Sequence, residues 1–129
     1  MGKHVIQTEK GALPLGAYSQ GWRAGDFIFV TGTGPIGTDG KVKGETIEEQ
    51  TNFTIDNIEA VLRVEGASLS DVVKVSVHLI DTNLFPRYNE VYKQRFTQPY
   101  PARTTVGSDL HQVPGMMIEI EATAYVGEE

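Results

Sequence analysis

Three ionisable side chains in the last third of the chain have the types and spacing of a small-molecule site. Arg103 lies in the run Tyr100–Val106, and Glu119 and Glu121 lie in the apolar run Met116–Tyr125. Alternate residues of a strand point to the same face, so the two carboxylates share a face. An arginine fork can hold a carboxylate-bearing ligand, and a nearby glutamate can handle water or a proton. These residues therefore indicate a candidate site for a small anionic metabolite.

Structural roles are the alternative for each of these groups, because charges in a half-buried sheet need partners. Arg103 could pair with an acidic neighbour at a strand edge, and Glu119 could belong to a structural ion pair. Glu121 is interpreted as structural, paired across a subunit boundary. The three histidines, His4, His78 and His111, are dispersed. They lack the spacing of metal ligands, so we predict no metal site.

The composition excludes several classes of protein. The 129 residues fit a single domain, 1–129, and 40% of them are apolar. The net charge is −6 with scattered basic residues, which argues against nucleic-acid binding. There is no cysteine, no apolar stretch approaching the ~20 residues of a membrane span, and no secretory signal in the first residues. We therefore expect a cytoplasmic protein without membrane or nucleic-acid partners.

Two helices are predicted to support the site. Thr46 followed by Glu49 forms a capping box, and Gly66 fits a C-terminal cap. Between them a helical spacing turns one set of residues inward: Ile47, Thr51, Thr54, Ile55, Ile58, Val61 and Leu62. A second helix is predicted from about Leu84 to Phe96, with Pro86 in its first turn. Its inward residues are Phe85, Tyr88, Val91, Tyr92 and Phe96.

Strands are predicted on either side of these helices. Extended segments are predicted at Tyr18–Arg23, Phe27–Thr31, Val72–Ile80, Arg103–Val106 and Met116–Tyr125. In the segment Val72–Ile80, one face is expected to carry Val73, Val75, Val77 and Leu79. This order indicates an α+β domain with two helices on a sheet. The run Phe27–Val30 is apolar on both faces. If the helices cover one face, a partner subunit is the simplest cover for the other, so we predict a homo-oligomer.

From Val5 to Tyr125 the chain resembles the Rid/YjgF family of reactive intermediate (enamine/imine) deaminases. The resemblance rests on the order and spacing of eight landmarks: Gly16–Gln20, Phe29–Gly32, Glu49–Thr51, Asp56-Asn57, Asp71–Lys74, Asn89–Tyr92, Pro101–Val106 and Ile118–Ala122. It implies a chorismate-mutase-like α+β fold with a mixed β-sheet and two helices packed on one face. It further implies a homotrimer in which the sheets form a central barrel, with ligand clefts between subunits.

The resemblance also assigns roles to individual residues. It implies that Arg103 holds the substrate carboxylate, that Glu119 lies near the attacking water and that Tyr18 lines the cleft as a third catalytic residue. It further implies three substrate-binding residues: Thr31, Asn89 and Thr105. Three segments depart from the family pattern. Gly-Ala-Tyr replaces Gly-Pro-Tyr at Tyr18, Thr31–Pro35 replaces Ser-Gly-Gln-Ile-Pro, and Gly107–Gly115 does not match the family closely.

The resemblance implies a hydrolase that converts 2-imino acids such as 2-iminopropanoate into 2-keto acids and ammonia. No cofactor or metal is expected, because an imine carbon is already electrophilic. Two alternatives remain open at this stage: an endoribonuclease or translation inhibitor, which the acidic balance disfavours, and a non-catalytic ligand-binding trimer that keeps the Arg103 site.

Overall fold

The computed structural model describes residues 2–128, which form one six-stranded sheet and two α-helices. The strands are β1 (Lys3–Ile6), β2 (Gly21–Ala24), β3 (Phe27–Thr33), β4 (Val72–Leu79), β5 (Ala102–Gly107) and β6 (Ile118–Tyr125). The helices are α1 (Ile47–Val64) and α2 (Phe85–Arg95). Neither helix combines the length and the apolar composition needed to span a bilayer.

Helix α1 begins and ends at the predicted positions. The Thr46 hydroxyl accepts a hydrogen bond from the backbone N–H of Glu49, and the Glu49 carboxylate accepts from the backbone N–H of Thr46. Two otherwise unpaired N–H groups at the helix start are thereby satisfied. Gly66 follows the helix with φ of +72°, a conformation that glycine adopts without steric cost. The predicted inward residues of α1 are all buried.

The strand order β1-β2-β3-β6-β4-β5 places the last strand of the chain in the middle of the sheet. The pairs are antiparallel except for β4 and β5, which are parallel, so the sheet is mixed as predicted. Strand β5 forms one edge. Val75 of β4 pairs with Arg103 of β5, and His78 of β4 pairs with Glu119 of β6. These two registers fix where the candidate site residues lie.

Both helices pack on one face of the sheet, which we call the helix face. Sheet residues such as Ile28, Val75 and Ile120 form a single core with residues of α1 and α2. The opposite face, which we call the open face, exposes a row of large apolar side chains: Val5, Trp22, Phe27, Phe29 and Tyr125. The expectation that two helices cover one face only is confirmed.

Two predictions about the strands and one about helix α2 need correction. Strand β1 was not predicted from the sequence. Val73 was expected on the same face as Val75, but the register between β4 and β6 shifts between Val72 and Lys74. This bulge inserts an extra residue, so Val72 is buried and Val73 is exposed. On α2, Phe85 was expected inside and is 37% exposed, whereas the other predicted inward residues, with Phe96 just beyond the helix, are buried.

Candidate active site

Arg103 lies on the helix face of the edge strand β5. It pairs in register with Val75, which is fully buried under the helices, so its side chain extends towards α2. The guanidinium Nη1 donates a hydrogen bond to Asn89 Oδ1 at 2.8 Å. Asn89 is neutral, so it orients the guanidinium and leaves its charge uncompensated.

An aromatic base supports the guanidinium. The guanidinium carbon Cζ of Arg103 lies 4.5 Å from the ring centroid of Tyr92, 5.5 Å from that of Tyr88 and 5.4 Å from that of Phe85. Burial raises the pKa of Tyr92 to about 12, with the Arg103 charge acting in the opposite direction. Burial also raises the pKa of Tyr88. Both phenols are therefore neutral at physiological pH and present aromatic faces to the cation.

Arg103 differs from the other arginines of the chain in its partners. Within residues 2–128, each of the others forms an ion pair with at least one carboxylate: Arg23, Arg63, Arg87 and Arg95. In the same range no carboxylate pairs with Arg103. The simplest structural role for this side chain, an ion pair at a strand edge, is thus not realised within the subunit.

The guanidinium faces a cleft of about 340 Å³, which we call the Arg103 cleft. It is lined by Asn89, Tyr92, Lys93, Tyr100, Pro101 and Arg103. Of the predicted substrate-binding residues, Asn89 therefore lies with Arg103. Thr105 is on the same face of β5, but its hydroxyl is hydrogen-bonded to the hydroxyl of Tyr88 at 2.8 Å.

Glu119 faces a second cleft, of about 360 Å³, which we call the Glu119 cleft. It is lined by Leu15, Gly16, Tyr18, Thr31, Gly32, Gln112, Val113, Met116 and Glu119. The structure thus brings together Glu119, Tyr18 and Thr31 from three parts of the sequence. Within residues 2–128 the Glu119 carboxylate forms no ion pair.

Gly32 explains where the Glu119 carboxylate lies. A Cβ atom added to Gly32 would overlap Oε1 of Glu119, so the carboxylate rests directly against the glycine backbone. Only a residue without a side chain permits this approach. Thr31 and Gly32 lie at the bulge of β3, where its register with β6 shifts. The bulge and the glycine together turn this part of β3 towards Glu119.

The two clefts of one subunit lie on opposite faces of the sheet. Glu119 pairs with His78 on the open face and alternates with the buried Ile118 and Ile120. Strands β6 and β5 are separated by β4, which corresponds to about 10 Å across the sheet, and the registers differ by about 10 Å along it. Adjacent atoms of one small ligand cannot span such a distance. Arg103 and Glu119 of one subunit therefore do not share a cavity.

The site contains residues that the sequence did not single out. Tyr88 and Tyr92 were predicted only as inward residues of the second helix. They are buried, and their rings also lie within 6 Å of the guanidinium. Lys93 and Tyr100 enter the Arg103 cleft, and Gly32 carries the Glu119 carboxylate. The position of Lys93 four residues after Asn89 was the available signal, because residues with this spacing lie on the same face of a helix.

Comparison with known proteins identifies the family. The model of the family described as Endoribonuclease L-PSP matches residues 9–126. The chain belongs to this family, which includes the Rid, YjgF and RutC proteins. The resemblance seen in the sequence is confirmed, and so is the α+β fold with its mixed sheet and two helices.

Relatives of this family match over almost the whole chain. A RutC family protein of Pyrococcus abyssi is 47% identical over 127 residues, which cover 97% of this chain and 98% of the relative. A 2-iminobutanoate/2-iminopropanoate deaminase of Dermatophagoides farinae is 35% identical over 129 residues, and the match covers 96% of this chain and 97% of the relative. The crystal structure of Escherichia coli TdcF with bound serine superposes with a TM-score of 0.86 at 30% identity, covering 96% of this chain and 99% of TdcF.

Proposed function

We propose that the protein is a cofactor-independent deaminase that hydrolyses 2-imino acids to 2-keto acids and ammonia. The observation that carries the proposal is an arginine that is oriented by a neutral amide, supported by aromatic rings and free of any carboxylate partner within residues 2–128. Such a guanidinium can bind a carboxylate through two parallel hydrogen bonds. Relatives at 35–38% identity bear the names of imine and reactive intermediate deaminases.

The active site is proposed to form between two subunits. In a 2-imino acid the carboxylate carbon is bonded directly to the imine carbon, so Arg103 and the water-directing glutamate must lie within a few ångströms of each other. The two side chains of one chain are on opposite faces of the sheet. In our proposal the Arg103 cleft of one subunit therefore meets the Glu119 cleft of the next, with Tyr18 and Thr31 on the glutamate side.

The open face is the surface proposed to assemble the subunits. Trp22 of β2 pairs in register with Val5 of β1 and with Phe29 of β3, and all three are exposed. Phe29 is 46% exposed and stacks against Phe27. An apolar row of this kind marks an interface rather than a solvated surface. We propose that the sheets of three copies pack through it into the barrel that the family resemblance implies.

The proposed reaction uses Glu119 to move protons. Its carboxylate accepts a proton from water as the oxygen attacks the imine carbon, and the imine nitrogen receives that proton to give a carbinolamine. Glu119 then takes the hydroxyl proton and returns it to the nitrogen, so the C–N bond breaks, the C=O bond forms and ammonia leaves. General acid–base transfer of this type contributes about 10²–10⁴-fold. Arg103 holds the carboxylate throughout.

The test is imine hydrolysis by matched glutamate variants. Imino acid is generated from alanine by an amino-acid oxidase, and its lifetime is followed by trapping with semicarbazide. Glu119→Gln should lose about 10²-fold or more of turnover. Glu45→Gln is the control, because Glu45 is exposed and lines neither of the two clefts. Equal activity in the two variants would remove Glu119 from the mechanism.

The proposed binding of the substrate carboxylate by Arg103, which we call the carboxylate clamp, is tested separately by measuring ligand affinity. Arg103→Lys keeps the positive charge but loses the planar guanidinium that can donate two parallel hydrogen bonds, so calorimetry should show weaker binding of pyruvate. Arg63→Lys, at an exposed arginine, is the control. Unchanged affinity in the Arg103 variant would refute the clamp. Keto-acid binding without turnover by the wild type would instead identify a non-catalytic ligand-binding protein, and salt-dependent RNA cleavage would support the nuclease alternative.

A further inference from the structure

The Arg103 cleft contains a second cation. Lys93 lines it from α2, while Arg103 lines it from β5. Lys93 lies four residues after Asn89, so the two side chains share one face of α2, and Asn89 is the residue that accepts the hydrogen bond from Arg103. Two positive side chains therefore approach the same cavity from different elements. One carboxylate on Arg103 leaves the lysine with no role in the reaction as proposed above.

The positive charge of this cleft is only weakly compensated. Lys93 Nζ lies 3.3 Å from the Glu90 carboxylate, and the side chains of both residues are more than half exposed. Exposed pairs of this kind contribute about 0–1 kcal/mol, so a bound anion can replace Glu90. Arg103 has no carboxylate partner within residues 2–128. This excess of positive charge occurs in a chain whose net charge is −6.

The Arg103 cleft continues beyond the guanidinium on this subunit. Its volume of about 340 Å³ refers to one subunit alone, and in our proposal the next subunit supplies the remaining wall. Tyr100 and Pro101 form the wall of the cleft beyond the guanidinium. A ligand held by its α-carboxylate at Arg103 can therefore extend its side chain along this surface towards Lys93.

Building on the proposed function, we propose that Lys93 selects 2-imino acids that carry a second carboxylate. The α-carboxylate binds Arg103 and the side-chain carboxylate binds the Lys93 ammonium. The hydrolysis itself is unchanged: water adds to the imine carbon, its protons pass to nitrogen, and ammonia leaves. Lys93 touches only the side chain of the substrate, so it determines specificity and takes no part in bond making.

The experiment compares two imines that differ in charge but hardly in shape. The 2-imino acids of glutamate and glutamine are generated by amino-acid oxidases, with equal supply verified from the hydrogen peroxide released. Wild-type kcat/KM should be higher for the glutamate imine. Lys93→Gln should lower kcat/KM for this imine by about three- to fivefold and change the glutamine imine by less than about twofold, as expected for one exposed charge pair. Lys41→Gln removes an exposed lysine elsewhere in the chain and should change neither.

The outcomes distinguish this inference from the proposed function. If both imines are hydrolysed and Lys93→Gln leaves their ratio unchanged, the role of Lys93 is wrong while the deaminase stands. If no imine is hydrolysed, the proposed function fails, and calorimetry with 2-oxoglutarate and its side-chain amide then decides on Lys93. Tighter binding of the dicarboxylate that disappears in Lys93→Gln supports the second anion site, and equal binding of the two ligands overturns it.

Discussion

Mixing two inactive variants tests whether the active site is shared between subunits. Arg103→Gln removes the clamp and leaves Glu119 intact, whereas Glu119→Gln does the reverse. Each variant alone should be inactive. In a ring of subunits, every cleft takes its arginine from one chain and its glutamate from the next. A mixed assembly therefore regenerates some clefts in which both residues are native.

The size of the recovered activity follows from the geometry. With equal amounts of the two chains and random assembly, a cleft receives a native arginine with a probability of one half and a native glutamate with a probability of one half. About one quarter of the clefts are then intact, so the mixture should regain about one quarter of wild-type activity. If both residues acted from one chain, no cleft would be intact at any ratio.

A second mixture provides an internal control for this arithmetic. The double variant, with Arg103→Gln and Glu119→Gln in one chain, is mixed with an equal amount of wild type. Sharing between subunits leaves about one quarter of the clefts intact, whereas a site within one chain leaves about one half.

The assay is semicarbazide trapping of 2-iminopropanoate after the chains are unfolded together in denaturant and refolded. Oligomer size is checked by analytical ultracentrifugation. Absence of recovery in the first mixture, together with half activity in the second, would refute the shared site. The separation of Arg103 and Glu119 across the sheet would then need another explanation.

Three further predictions concern the residues that support the two clefts. Tyr88→Phe loses the hydrogen bond to Thr105, so the free energy of unfolding should fall by about 1 kcal/mol. Tyr92→Phe removes a buried hydroxyl that has no protein partner within residues 2–128, so its effect on stability should be neutral or favourable. Chemical denaturation of both variants measures the difference. An equal loss in both variants would contradict this difference. Gly32→Ala places a methyl group where the Glu119 carboxylate lies, so imine hydrolysis should fall by about 10²-fold in a folded protein; retained turnover would mean that the carboxylate position is not needed. The folded pKa of Tyr92 is raised to about 12, above the value of about 10 in an unfolded chain, so the folded state holds more protons and its stability should fall as the pH rises from about 10 to 12. Urea denaturation at several alkaline pH values should show a smaller loss in Tyr92→Phe, and an identical pH dependence would argue against the raised pKa.

Local patterns in the sequence were sufficient for helix α1 but not for every strand. The capping pair Thr46 and Glu49 and the glycine at 66 act within a few residues of the helix ends, so they are visible without knowledge of the fold. Strand β1 has only four residues and is held in the sheet by its pairing with β2, in which Val5 lies opposite Trp22. The exposure of Val73 depends on a bulge against β6, a strand that is distant in sequence. Both features arise from long-range pairing.

The candidate site residues could be named from the sequence, but their separation into two clefts could not. The two-residue period of a strand shows which residues share a face, and it does not show which face of the sheet that is. For Arg103 and Glu119 this depends on registers with β4, in particular the pairings with Val75 and His78. Candidates for a carboxylate-binding group and an acid–base group could therefore be named from the sequence, whereas their placement on opposite faces required the sheet order.

The environment of Arg103 shows how the fold keeps a cation available for a ligand. Elsewhere in the chain carboxylates occupy the guanidinium groups; Arg95, for example, contacts both Asp56 and Glu59 within 2.8 Å. At Arg103 the contacts are aromatic faces and one amide oxygen, and neither compensates the full charge. The aromatic faces attract the guanidinium without using its N–H groups, and Asn89 uses one. Arg103 lines the cleft, so its remaining N–H donors are available there to an anionic ligand, as the proposed function requires.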